Sequence, residues 1–230
     1  MTANPENYFC ISPEPPEAQG QARAAIVERY MWPRGATIKI KFLEGDPALQ
    51  AKVAAVAKEW TGPDMANLVF DFVDSDDADI RIAFMPGRGS WSYIGTDCHN
   101  HDGPTMNFGW LTADSSDDEI RRVVLHEFGH AIGLIHEHQN PNHPIQWNKD
   151  AVVHDLSGPP NNWNLQTIQS NMFAKYELAD VDATEVDKDS IMMYPIPISW
   201  TLDGFSAGLN SKLTDQDKEL VRAIYHWASS

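Results

Sequence analysis

The chain has 230 residues, enough for one sizeable core or for two lobes sharing a cleft. A hydrophobic fraction of 42% with eight Trp, nine Phe and six Tyr excludes a disordered chain, and a formal charge of -16 argues against nucleic acid or an anionic membrane as partner. No apolar run approaches the roughly 20 residues of a membrane span, and residues 1–30 lack the basic start and apolar core of a Sec-type leader, so a soluble protein is expected, cytoplasmic or exported by another route.

Residues 1–22, with the Pro- and Glu-rich stretch from Ile11 to Gly20, read as a flexible or extended arm, and residues 23–230 as a single domain. Beyond the arm, Ile38, Ile40 and Phe42 alternate with Lys39 and Lys41, the period of a strand with one buried face. Leu49, Val53, Val56 and Trp60 then fall at helical spacing behind Asp46 as N-cap and Pro47 at the first helical position. Two more strands follow, with Leu68, Phe70 and Phe72 on one face of the first and Ile80, Ile82 and Phe84 on one face of the second. A Gly-rich region ends in a further short strand, Thr105–Trp110. Ser116 and Glu119 stand at capping-box spacing, with acidic residues in the first turn, and open a helix that runs past His130. From Asn140 to about Phe205 the chain is rich in Pro, Asn, Asp and Gly and reads as irregular. Thr214 and Asp217 open a terminal helix with Leu220, Ile224 and Trp227 along one face.

Five of the nine histidines lie between Val123 and His143. His126 and His130, four apart on the expected helix, share a face and can bind one ion; Glu127 misses the ion but reaches a water on it. Gly133 supplies the positive φ that ends the helix and turns the chain back, and His136 follows as a third ligand. Three histidines with an open position are the arrangement of a catalytic zinc, one that lowers the pKa of its water and polarises a carbonyl while Glu127 acts as general base. HExxH alone arises by accident in roughly two such chains per hundred, and requiring Gly133 and His136 as well lowers this to about a few per hundred thousand. The spacing therefore points to zinc-dependent peptide hydrolysis.

Residues 126–136, HEFGHAIGLIH, fit the metzincin pattern at every specified position, and Asp189–Pro195 supplies a Met-containing turn downstream. With Glu137 after the third histidine and Ser190, Met192 and Tyr194 in the form S-x-M-x-Y, the chain most resembles the astacin family of zinc metallopeptidases. The resemblance implies an α+β, metzincin-like zincin. An N-terminal twisted sheet with a backing helix and an active-site helix forms an upper lobe, about residues 30–133. An irregular C-terminal lobe, about 134–230, ends in a helix. It implies one catalytic Zn2+, a protein or peptide substrate, Met192 as a floor under the ion, and Tyr194 as a ligand that swings away to stabilise the tetrahedral intermediate. It also implies that Thr105, Met106, Asn107 and Phe108 form an edge strand that adds the substrate as a further strand. Pro195, Ile196 and Pro197, followed by Ile198, stand where metzincins build the wall of the S1′ pocket, which predicts an apolar pocket.

The stretch from His136 to Trp147 lacks the Arg that astacins carry soon after the third histidine. Cys10 and Cys98 permit a single bridge, while Cys10 alone has the chemistry of a thiolate lock on the metal, as in the matrixin branch. His99 and His101 with Asp97 and Asp102 read as a polar loop on the cleft rim, a second structural metal being the lesser reading, and His138 reads as a surface residue, orientation of a metal ligand being the lesser reading. The rivals to an endopeptidase are a small-substrate or cell-wall amidase or exopeptidase on the same zinc site, and a binding module that keeps its metal without catalysis.

Overall fold

A computed structural model of the chain describes residues 8–11, 30–140, 145–174 and 186–226, and the statements that follow refer to these. His143, Trp227 and much of the acidic run before Ser190 lie outside them.

Six strands form one mixed sheet: β1 (Cys10–Ile11), β2 (Thr37–Phe42), β3 (Val69–Phe72), β4 (Ile80–Ala83), β5 (Ser90–Ser92) and β6 (Met106–Phe108), in the order β1-β5-β6-β4-β2-β3. Ile38 and Ile40 on β2, with Ile80 and Ile82 on β4, are buried, as their alternation predicts. β2, β3, β4 and β6 run parallel, and β5 pairs antiparallel with β6. β6 has a neighbour on each side and no free edge, which corrects the expectation that Thr105–Phe108 receive the substrate. All four of those residues are buried. The outer strand on that side is β5, and its free edge is taken by β1, in parallel register with Cys10 opposite Ser90 and Ile11 opposite Trp91.

Helix α1 (Pro47–Ala57) begins as its cap predicts: Asp46 Oδ1 accepts from Ala48 N at 2.7 Å. It lays Leu49, Val53 and Ala57 against the sheet, and Trp60, just beyond it, donates from Nε1 to Leu125 O at 2.9 Å. That bond locks α1 to α2 (Asp117–Ala131), the buried central helix. At the start of α2 only half of the expected capping box forms. Ser116 Oγ accepts from Glu119 N at 3.2 Å, but the Glu119 carboxylate turns instead to Arg122 and to Trp110 Nε1. A guanidinium competes better for that carboxylate than a single backbone N–H does.

Below α2 come α3 (Lys149–Ser157), the single turn α4 (Leu165–Ile168) and the terminal helix α5 (Asp215–Ile224). The full capping box of α5 is present, with Asp217 N donating to Thr214 Oγ1 at 3.1 Å and Thr214 N to Asp217 Oδ2 at 2.9 Å. Val221 and Tyr225 are the buried centre of its face, with Leu220 and Ile224 only flanking it. Two hydrophobic clusters result. One joins the sheet, α1, α2 and α5; the other gathers Ile145, Val152, Leu156, Trp163, Ile168, Met172, Met193, Tyr194, Ile196 and Trp200 around Phe9 and Cys10. Among the described residues no helix is long and apolar enough to cross a membrane.

Candidate metal centre and cleft

His126 and His130 project from the last two turns of α2, one turn apart. The helix then ends in a Schellman motif: Gly133, at φ 99°, donates to His130 O at 2.8 Å and Leu134 N donates to Gly129 O at 2.9 Å. The reversal brings His136 back beneath the helix, so that one ring nitrogen from each of His126, His130 and His136 lies within 4.8 Å of the others. His130 Nε2 and His136 Nε2 are 3.1 Å apart. His126 Nδ1 donates to Ile191 O at 2.8 Å and His130 Nδ1 to Leu134 O at 2.9 Å, which fixes both tautomers and leaves each Nε2 as a lone pair aimed inward. His126 Nε2 is buried with no hydrogen-bond partner. An orphaned acceptor facing two further imidazoles fits a divalent cation, and three nitrogen donors suit zinc.

Burial disfavours the charged form of every ionisable group here. It holds His130 down at about 4 and, with the neighbouring imidazoles, keeps His126 and His136 well below the ordinary range, so all three are neutral at pH 7. Burial also pushes the Glu127 carboxyl up to about 8. Glu127 is fully enclosed and both of its oxygens are without a hydrogen-bond partner, although the Cys10 thiol faces it. Burial and the Glu127 charge push that thiol well above its usual value.

The Met-turn docks from below. Ser190 Oγ donates to Asp217 Oδ1 at 2.6 Å, and Ile191 N donates to Asp217 Oδ2 at 3.1 Å. The residue that caps α5 thus also holds the turn. Glu137 N donates to Met192 O at 3.0 Å, tying the third ligand's neighbour to the same turn. Met192 belongs to the cluster that includes the buried face of α2, and Met193 to the second one. The seat of Met192 is Gly129: a Cβ there would come within 2.3 Å of Met192 Sδ.

Tyr194 lies against the ligands, with its ring centroid 4.2 Å from that of His136 and 5.8 Å from that of His126. Its hydroxyl donates to Cys10 O. His138 is a correction to the surface role expected of it. It is 1% exposed, stacks on Tyr194 at 4.7 Å, and bonds through Nε2 to Asn171 O at 2.7 Å. Cys10 and Cys98 are both free and buried, so no bridge joins them. Cys10 is not in the metal-ligating group either; it faces the base rather than the ligands. Only a small cavity, about 10 Å³, remains between the Tyr8–Cys10 segment and the centre, with Arg122, His126, Met193 and Pro195 among its walls. Of the expected apolar wall, Pro195 borders this cavity, Ile196 is buried and bridged to Ala207, and Pro197 faces solvent. On the rim, His99 bonds Asp79 at 2.8 Å and His101 bonds Asp97 at 3.2 Å.

Sequence reasoning missed three contributions: Gly129 as the seat of Met192, Asp217 as the anchor of the turn, and Phe9–Ile11 as the occupant of the cleft. Gly129 left a trace, as a costly residue in a helix interior, and Cys10 left one in the reading of its thiol as a lock on the metal.

Comparisons with known proteins agree with this geometry. The family model for Astacin, a peptidase family, matches residues 27–225. Protein SpAN of Strongylocentrotus purpuratus is 30% identical over 162 residues, 63% of this chain but only 22% of its own length, so this chain spans about a fifth of that relative. The structure of myroilysin is similar at a TM-score of 0.83 and 40% identity, over 88% of this chain and 98% of that one. High choriolytic enzyme 1, a hatching enzyme zinc-protease of Oryzias latipes, shares the fold at a TM-score of 0.53 and 16% identity, covering 86% of this chain and 95% of that one.

Proposed function

The chain belongs to the astacin family of peptidases, and from that premise we propose that it is a zinc-dependent endopeptidase with Glu127 as its general base. The observation that carries this reading is the orphaned His126 Nε2 converging with His130 and His136 beside an enclosed, unpartnered carboxyl. Such a carboxyl is costly to bury and is retained where a reacting proton comes to it. The family match weighs against the small-substrate amidase or exopeptidase and the non-catalytic module.

His126, His130 and His136 would hold one zinc ion, which when bound would supply a Lewis acid toward water and the scissile carbonyl. Glu127 takes the proton of the attacking water and delivers it to the leaving amine. Tyr194 donates its hydroxyl to the oxygen of the reacting carbonyl, the role in which it now serves Cys10 O. Met192 and Gly129 fix the height of the ligand helix over the turn, and Asp217 fixes the turn. Residues 23–230 act as one catalytic domain, whose lobes, about 30–133 and 134–230, flank the cleft.

In the form described, residues 8–11 close that cleft: β1 covers the free edge of β5, and Cys10 shields Glu127. Displacement of this segment admits a peptide. The test is cleavage of a mixed peptide library by zinc-loaded protein, with and without residues 1–22, beside Glu127→Ala at equal metal content. Internal cuts lost in the mutant establish the reading; stepwise terminal losses, or no cuts in either form, overturn it.

A further inference from the structure

Phe9 is only 5% exposed and fills a box of three aromatic side chains. Its ring stacks on Trp200 at 5.2 Å and meets Tyr194 edge-on at 5.7 Å and Trp163 at 6.3 Å. We propose that this box is the pocket that receives an aromatic side chain of the peptide substrate, next to the bond that is cut, once residues 8–11 have left. The proposal rests on the endopeptidase reading and adds to it a substrate class.

Three observations carry it. First, the walls stand without Phe9. Trp200 Nε1 donates to Asp155 Oδ2 at 2.7 Å, Trp163 N donates to Leu156 O at 2.9 Å, and the ring of Tyr194 is stacked on His138. A pocket whose sides are held by their own bonds keeps its shape when its plug is withdrawn. Second, the plug is the separable part. All three walls lie between Trp163 and Trp200, whereas Phe9 comes from the other end of the chain, held by the two-residue strand β1, by Asn161 Oδ1 on its backbone N–H at 3.2 Å, and by the stacking of Tyr8 on Trp110. Third, the position is tied to the chemistry. The residue after Phe9 presents its carbonyl to the Tyr194 hydroxyl, so the box lies one residue from a carbonyl seated where a reacting one belongs. Three aromatic walls select a flat apolar side chain over an aliphatic or charged one.

The experiment uses full-length zinc-loaded Phe9→Ala, whose box is empty, with the wild type as control. Titration with N-acetyl-phenylalanine amide, followed by tryptophan fluorescence, should saturate in the variant, about tenfold or more tighter than with N-acetyl-alanine amide, and leave the wild type unchanged. Mapping cut sites in a mixed peptide library should place Phe, Tyr or Trp beside the cut about tenfold above its share, a preference that Trp200→Leu in the same background removes. Should Phe9→Ala lose its fold, Phe9→Leu, which keeps a smaller plug, carries both measurements. Cuts without an aromatic preference overturn the pocket and leave the endopeptidase reading intact. Ring binding without cuts that depend on Glu127, both in this variant and in protein without residues 1–22, overturns that reading while supporting the pocket. A folded variant that neither binds the ring nor prefers it shows Phe9 to be ordinary core.

Discussion

The sheet with α1 and α2, and the described residues between His138 and Ala207, bury their hydrophobic clusters by different means. In the first, backbone ladders and the faces of regular elements do most of the work: Ile38, Ile40, Val53, Val123 and Val124 are fully enclosed. In the second, helices are short and the bonds that matter join side chains to backbone, as at Gln139 to Ser170 O and Ala174 O, Thr201 to Phe205 O, and His138 to Asn171 O. Periodic structure makes a rigid platform from which two ligands project at fixed spacing. Irregular structure follows no repeat and so can bring a methionine, a tyrosine and an aromatic box to the same platform from below. The division is one of labour: the platform places His126 and His130, and the lower region brings Met192 and Tyr194 to them.

If this is right, the largest effect comes from the platform's own reacting group. Glu127→Gln is expected to lower peptide cleavage by about 10³-fold or more with bound zinc unchanged, measured as turnover beside metal content. Loss of zinc in that variant would contradict the separation of base from ligands. Next is the seam between the two regions. Gly129→Ala drives a methyl group into Met192 Sδ and is expected to cost about 1–3 kcal/mol, read as a lowered thermal midpoint. Adding Met192→Ala should restore part of that loss, and an unchanged midpoint in Gly129→Ala alone would show that the seam is loose.

Asp217→Ala tests the anchor of the turn. It removes the acceptor shared by Ser190, Ile191 N and Thr214 N, and an unfolding free energy lower by about 2 kcal/mol is expected in a denaturant melt, with zinc affinity weakened although no ligand is touched. Melts that match the wild type would show the cap of α5 to be independent of the Met-turn. The smallest effect belongs to the solvated edge of the sheet. Asp77 is held at about 2, below its ordinary 3.8, first by its bond to Lys39. A depressed folded-state value means stability that is present above the unfolded value and lost as pH falls through about 2. Lys39→Ala should move the NMR titration of Asp77 up toward its ordinary value and leave the thermal midpoint at pH 7 nearly unchanged, because both groups are exposed.

Much of the platform was legible because its signals are local. Asp46 before Pro47, Thr214 before Asp217, and the alternation along β2, β3 and β4 each report an element through residues a few positions apart. The convergence of His126, His130 and His136 was legible for the same reason, since i, i+4 on a helix and a glycine-led reversal fix where three imidazoles go. The misreadings share the opposite cause. β6 looked like an edge because chain order places it just before α2, but which strands flank it is decided by residues about 15 and 25 positions upstream. His138 looked exposed because its neighbours are polar, whereas Tyr194 and Asn171, far away in sequence, enclose it.

The spacing from His126 to His136, with the Ser190–Tyr194 turn, was enough by itself to point to the family and to three histidines that the fold brings together, because bond lengths and helical pitch convert sequence separation into distance over such short spans. Only the tertiary structure decided that residues 8–11 close the cleft, that Phe9 fills an aromatic box, and that one aspartate serves both a helix cap and the Met-turn. Those contacts join residues from 27 to more than 180 positions apart. Over such separations the local conformational preferences of the chain no longer determine position, and burial and hydrogen-bond satisfaction of the whole fold make the choice.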